Sequence, residues 1–103
     1  MRRLVYSARA LADLEEIAHF VAQASENREI ADRFLAQLTG KCASIARTAA
    51  TIGRPRGELR SDMRSLASSN YLVFFRYEEE AVQIVRLIER HRDVAGQFDE
   101  DAD

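Results

Sequence analysis

The chain has 103 residues, a formal net charge of −2 at pH 7, 47% hydrophobic residues and 31% charged residues. This length and composition fit one globular domain and exclude a disordered chain, and no apolar run approaches the roughly 20 residues of a membrane span. The single cysteine, Cys42, excludes an internal disulfide and a multi-cysteine metal site. Because charged residues interrupt the N-terminus too early for a signal peptide, we expect a cytoplasmic protein, with one domain over residues 1–98 and an acidic tail over residues 99–103.

A short strand followed by a helix is predicted at the N-terminus. Residues 3–6 are typical of a strand, and Ser7 is a favourable helix N-cap because its hydroxyl can accept from an unpaired N–H of the first turn. Apolar residues then recur every three or four positions, which predicts an amphipathic helix of roughly 17 residues. The stripe consists of Leu11, Leu14, Ile17 and Val21.

A second, longer helix is predicted after a break at residues 25–28. Its apolar stripe consists of Ile30, Phe34, Leu38, Cys42, Ile45 and Ala49. Gly40 inside this helix costs about 1 kcal/mol relative to alanine. The short connector indicates an antiparallel helical hairpin, and each stripe can be buried only against the other helix or against a sheet.

The remainder of the chain predicts that sheet. Pro55 lies between two glycines in a loop at residues 53–57, after which the apolar period changes to two. Strands are predicted at residues 63–67, 71–77 and 81–89, separated by turns at 68–70 and 78–80. The expected fold is therefore α+β, with an N-terminal strand, an antiparallel two-helix hairpin packed on a three- to four-stranded antiparallel sheet, and a short C-terminal segment.

The last two predicted strands are apolar on both faces. One alternating set, which can face the helices, holds Tyr71, Val73, Phe75, Val85 and Leu87. The other set mixes apolar residues with arginines: Leu72, Phe74, Arg76, Ile84, Arg86, Ile88 and Arg90. A sheet with water on one side alternates cleanly, so this second face is covered either by a protein partner or by the C-terminal segment folding back.

No motif in the sequence indicates a catalytic centre, a metal site or a cofactor. There is no phosphate-binding glycine loop, and neither His19 nor His91 has a second ligand at metal-binding spacing. The notable feature is arginine, which accounts for 14 of the 15 basic residues. On or beside the predicted sheet lie Arg64, Arg76, Arg86, Arg90 and Arg92. Such a cluster can stabilise charge on a phosphate or bind acidic residues of a partner, and is interpreted first as a binding feature.

The ordered combination of these segments resembles the RelE/ParE superfamily of toxins over nearly the whole chain. The segments that carry the resemblance contain Tyr6, Ser7, Ala10, Asp13, Leu14, Ile17 and Ala18, then residues 53–56, 63–66, 71–76 and 84–93. RelE-like members cut messenger RNA on the ribosome with basic strand residues and a C-terminal tyrosine, whereas ParE-like members are known as gyrase inhibitors.

Several positions favour the ParE branch. Where the RelE-like pattern has lysines, this chain has Met63 and Ser65, and Leu72 stands where that pattern has an arginine. Arg92 matches a nuclease-type arginine, but Phe98 stands at the position of the tyrosine and has no hydroxyl for proton transfer. The resemblance therefore implies a toxin without a catalytic site of this type.

The resemblance also implies partners and surfaces. A ParD-like antitoxin is expected to neutralise the toxin, DNA gyrase is the expected target, and neither membrane binding nor sequence-specific nucleic-acid binding by the toxin alone is expected. The five sheet arginines are predicted as the toxicity surface. The predicted antitoxin-binding residues are Leu11, Leu14, Phe34, Leu72, Phe74, Ile84 and Ile88. Two alternatives remain, namely a ribosome-dependent mRNA endonuclease whose arginines hold the phosphate, and a non-toxic antitoxin-binding module.

Overall fold

The computed structural model describes residues 2–100, and the side chains of residues 99 and 100 are outside this description. The predicted acidic tail therefore lies outside the described residues, apart from the backbone at positions 99 and 100. The elements in chain order are β1 (Arg3–Tyr6), α1 (Ala8–Ser25), α2 (Arg28–Arg47), β2 (Arg54–Pro55), β3 (Arg64–Ser68), β4 (Tyr71–Glu78), β5 (Ala81–Glu89) and α3 (Val94–Glu100).

The two long helices begin at side-chain caps. Ser7 is the N-cap of α1, as predicted, and its Oγ accepts from the Ala10 N–H at 2.9 Å. The Ser7 hydroxyl also donates to the carbonyl of Val85 at 2.8 Å, which ties the start of α1 to β5. At Glu26 the chain takes a left-handed conformation, and the Asn27 side chain caps α2 by accepting from two N–H groups. The two-residue connector confirms the predicted hairpin.

A five-stranded mixed sheet supports the hairpin, with strand order β1-β5-β4-β3-β2. The pairs β2–β3, β3–β4 and β4–β5 are antiparallel, whereas β1 pairs in parallel with β5. The sequence predicted the antiparallel strands but neither this parallel pairing nor the two-residue strand β2. Pro55 is tolerated in β2 because this is the edge of the sheet, where a missing N–H breaks no inner ladder.

The main core lies between the helical hairpin and one face of the sheet. Its buried side chains include Leu38, Cys42 and Ile45 from α2 and Val73, Phe75, Val82 and Ile84 from the sheet. Burial raises the pKa of Tyr6, and its hydrogen bond with the Cys42 thiol acts in the same direction. Burial also raises the pKa of Cys42. Both groups are therefore held in their neutral forms.

A smaller core covers the opposite face of the sheet. Met63, Phe74, Val85, Ile88 and Phe98 are buried together there, with the rings of Phe74 and Phe98 edge to face at 4.9 Å between centroids. Phe98 belongs to α3, so the C-terminal segment folds back over this second face of the sheet. Of the two predicted covers, a protein partner or the C-terminal segment, the structure shows the second.

A β-bulge corrects the predicted faces of two residues. The β4–β5 register shifts between Phe74 and Phe75, which pair with Arg86 and Ile84, so that Val85 is the extra residue. Ile84 consequently packs in the main core beside the helices, and Val85 packs in the smaller core. The sequence analysis assumed an unbroken register and placed both on the wrong face.

Candidate interaction surfaces

A buried ion pair joins α1 to β5. Arg86 donates to both carboxylate oxygens of Asp13, from Nε at 2.8 Å and from Nη2 at 3.1 Å, and the Leu87 N–H donates to the same carboxylate at 2.9 Å. Both residues are only 3% exposed. Arg86 also donates to the backbone and side-chain oxygens of Gln97 on α3, at 3.4 Å each.

Arg86 was therefore wrongly assigned to an exposed toxicity surface. Its guanidinium is enclosed and compensated by Asp13, so its role is to connect three elements. A signal for this pairing was present in the sequence, because Asp13 lies three residues after Ala10 and four before Ile17, both of which are buried. An acidic residue at this spacing within an apolar helix stripe requires a buried partner.

The other predicted arginines are separated by the fold. Arg64 is half-buried and donates to the carbonyls of Ile52 and Gly53, each at 2.9 Å, and thereby fastens the connector after α2 to β3. Arg76 is also half-buried, and its enclosed Nε has no hydrogen-bond partner among the described residues. Arg90 and Arg92 are exposed. The five arginines thus do not form one continuous surface.

Arg92 borders a pocket of about 150 Å³ between α1 and the ends of β4 and β5. Phe20, which is 61% exposed, and Tyr71 contribute aromatic surface to it. Burial raises the pKa of Tyr71, Glu89 adds to this rise, and Arg92 partly opposes it. The pocket is smaller than typical small-molecule sites and has the size for one side chain of a partner.

Arg90 lies instead on a separate groove beside β2, β3 and the start of β4. Here Arg54, Arg56 and Arg90 line the groove together with Ser65 and Leu72, and among the described residues no acidic side chain contributes to the lining. Arg56 is fixed by a hydrogen bond from its Nε to Ser65 Oγ at 2.9 Å. We call this feature the cationic groove. The sequence analysis placed Arg54 and Arg56 in the loop at residues 53–57 and assigned neither to a binding surface, whereas the structure places Arg54 in β2 and Arg56 directly after it.

The predicted antitoxin-binding residues differ in accessibility. Leu11 is 50% exposed, and Leu14, Phe34 and Leu72 are half-buried. Phe74, Ile84 and Ile88 are buried and cannot contact a partner in this structure, because Phe98 and Met63 cover two of them and the bulge turns the third toward the helices. The sequence analysis missed Phe20 and Ile30, which are exposed apolar side chains of the helical hairpin.

The positions compared with RelE-like nucleases contribute to packing. Met63 and Phe98 are buried in the smaller core, and Leu72 packs against it. The hydroxyl of Ser65 accepts from Arg56. Among the described side chains, those of residues 2–98, no group of three His, Cys, Asp or Glu residues is arranged to hold a metal ion. No helix in the same range has the length and apolar content that are needed to cross a membrane.

These features define a class of small α+β proteins in which a helical hairpin packs on one face of a mixed sheet and a short helix covers the other. A solved structure described as the chromosomal ParDE TA system from P. aeruginosa has this fold, with a TM-score of 0.75 and 22% sequence identity over 86% of this chain and 96% of that chain. No curated protein sequence matches the chain. The family model for the ParE toxin of type II toxin–antitoxin system, parDE, matches residues 4–94. The chain belongs to this ParE toxin family.

Proposed function

We propose that this toxin inhibits DNA gyrase in the cytoplasm and is neutralised by a ParD-like antitoxin. The observation that carries the proposal is the ParE family match over residues 4–94, which spans every element from β1 to the start of α3. The structurally similar protein from P. aeruginosa is described as a ParDE system, which supports an antitoxin partner for this chain as well.

The packing of the residues at the nuclease-type positions favours a toxin that acts by binding its target rather than by cleaving RNA. A general acid or base must reach the proton that it transfers, and Phe98 and Met63 are enclosed and have no titratable group. Arg86, which would have held the scissile phosphate, is compensated by Asp13. Of the five predicted sheet arginines, Arg90 and Arg92 are exposed and provide charge for contacts with a partner.

The helical hairpin is the proposed site of the antitoxin. Leu11, Phe20 and Ile30 are exposed by 50%, 61% and 40%, and Leu14 and Phe34 are half-buried on the same two helices. An amphipathic antitoxin helix can cover such residues with its apolar side. The predicted contacts of Leu11, Leu14 and Phe34 thus remain part of the proposal. Leu72 lies on the opposite face of the sheet and is outside this site, and Phe74, Ile84 and Ile88 are buried.

The proposal is tested by growth and by gyrase activity. Expression of the toxin alone should arrest growth, co-expression of the adjacent antitoxin gene should restore it, and purified toxin should inhibit supercoiling of relaxed plasmid by gyrase. Unimpaired gyrase in a large excess of toxin would refute the target. Transcripts cut within codons by toxin-treated ribosomes would favour the endonuclease function, and normal growth on expression would favour a non-toxic binding module.

Exposed arginines allow a matched comparison in the same assay. Arg92→Ala should reduce toxicity without changing the unfolding midpoint, because its side chain is exposed. Arg33→Ala, an exposed arginine on α2, serves as the control with the same loss of charge. Equal toxicity of the two variants would exclude Arg92 from the target surface.

A further inference from the structure

The cationic groove carries positive charge that the described residues leave largely uncompensated. Arg54 and Arg90 are exposed and have no ion-pair partner among them. Arg56 lies over the ring of Phe74, 5.7 Å from its centroid, and its acidic neighbour is the exposed side chain of Glu58 at 3.4 Å. Three guanidinium groups are therefore grouped in a chain whose net charge is negative.

The groove also borders an unpaired part of the sheet. The short strand β2 pairs only with Arg64 and Ser65, so the second half of β3 has β4 on one side and no described strand on the other. The Arg56 N–H donates to the carbonyl of Met63 at 2.7 Å, which shows that Met63 directs its backbone groups toward the β2 edge. Because successive residues of a strand direct these groups to opposite edges, Ala67, four residues later, presents its N–H and C=O to the groove.

We propose that the cationic groove binds an extended, acidic segment of a protein partner. The segment continues the line of β2, pairs its backbone with Ala67, and places carboxylates against Arg54, Arg56 and Arg90. Arginine matches carboxylates with two parallel hydrogen bonds, and an exposed sheet edge is a common docking site for an extended peptide.

The lining of the groove favours a polypeptide over a nucleic acid. Single-stranded nucleic acids need exposed aromatic rings on which bases stack, and the groove is lined by Gly53, Ser65, Leu66, Ala67 and Leu72 beside its arginines. The apolar and small side chains of this lining leave room for the alternate side chains of an extended segment that face the groove. This inference does not depend on gyrase being the target of the toxin.

The experiment uses the full chain and a labelled synthetic peptide in which glutamate alternates with threonine. Binding is followed by fluorescence anisotropy, with a glutamine-for-glutamate peptide and an oligothymidylate as competitors. We expect Arg54→Ala/Arg90→Ala to weaken peptide binding by about tenfold or more, and Arg28→Ala/Arg33→Ala, which removes the same charge from α2, to change it less than twofold. Ala67→Pro, which removes an N–H directed away from β4, should also weaken binding. Urea unfolding of each variant verifies that it is folded.

Three results would overturn the proposal. The first is equal peptide affinity for the wild type and for folded Arg54→Ala/Arg90→Ala. The second is a higher affinity for oligothymidylate through the same arginines, which would assign the groove to a nucleic acid. The third is peptide binding only after the four acids at positions 99, 100, 101 and 103 are changed to amides, which would assign the groove to the chain's own acidic residues.

Discussion

Asp13 and Arg86 lie 73 positions apart in the sequence and form an ion pair with two hydrogen bonds, at 2.8 and 3.1 Å, and each residue is only 3% exposed. The Leu87 N–H occupies a further acceptor site of the carboxylate, and Gln97 accepts from the guanidinium. The desolvation of two buried charges is offset only while both are present, so the pair is more sensitive to the loss of one member than to replacement of both.

Asp13→Ala should therefore lower the free energy of unfolding by about 3–5 kcal/mol, because it removes the carboxylate that accepts two hydrogen bonds from the buried Arg86. The double variant Asp13→Leu/Arg86→Met should recover most of this loss. Urea unfolding of wild type, single and double variants measures the effect. Additive losses in the double variant would contradict a coupled pair.

Phe98→Ala should detach α3 from the sheet. The lost ring packs against Phe74, and a truncation of this kind costs about 3–5 kcal/mol when the site is fully buried. A helix of seven residues is not stable alone, so amide exchange in α3 should become fast while exchange in α1 and α2 stays slow. Phe20→Ala, at a 61% exposed phenylalanine, should change stability by less than about 0.5 kcal/mol. Slow exchange in α3 of Phe98→Ala would show that the ring does not hold it.

Substitution of glycine by alanine should change the stability of the protein in opposite directions at two positions. Gly53 has φ of +92°, and a Cβ there would lie 2.7 Å from Phe75 Cζ and 3.0 Å from the Ser65 carbonyl. Gly53→Ala should therefore destabilise the protein by about 1–3 kcal/mol. Gly40 lies inside α2 with no atom within 4 Å of the added Cβ, and Gly40→Ala should stabilise by about 1 kcal/mol. Thermal unfolding of both variants tests these two predictions, and unfolding midpoints that shift in the same direction would disprove this explanation.

Stability should decline under alkaline conditions. Burial raises the pKa of Tyr6 and Cys42 above their ordinary values of 10.0 and 9.0, so the folded state retains these protons more strongly than the unfolded state. Their contribution is complete below about pH 9 and is lost as the pH rises through the folded pKa values. Tyr6→Phe should make the decrease above about pH 10 shallower. An unchanged slope in urea titrations across this range would exclude Tyr6 as a contributor.

Local rules predicted most of the fold. Ser7 was identified as a cap, both long helices were predicted, and the strand boundaries agree within one residue for β3 to β5, because capping and apolar periodicity act between near neighbours in the sequence. The helical stripes were correct only in part, because Leu11 and Ile30 are exposed and Ala49 lies beyond the end of α2. The bulge at Val85 and the parallel pairing of β1 were not predicted. The bulge is set by the packing of consecutive strands and the parallel pairing by contacts between distant segments, and single-residue preferences encode neither.

The predicted surfaces were less accurate for a related reason. Arg86 and Arg92 look alike in the sequence, yet one is buried by Asp13 and α3 and the other is exposed. Side-chain type indicates what a residue can bind, whereas accessibility is decided by the elements that pack above it. The apolar pattern of the last two strands predicted that both faces of the sheet are covered. Only the position of Phe98 in the structure shows that the chain itself covers the second face.

The parallel pairing of β1 with β5 has a consequence for synthesis of the protein. The hydrogen bond from Ser7 to Val85 spans 78 positions, so the first strand leaves the ribosome roughly 4–16 s before its neighbour at ordinary elongation rates. Strand β5 also separates β1 from β4 in the sheet. A nascent chain that stalls before this strand lacks the strand that lies between β1 and β4, and we expect the domain to acquire its shape only after β5 has been synthesised.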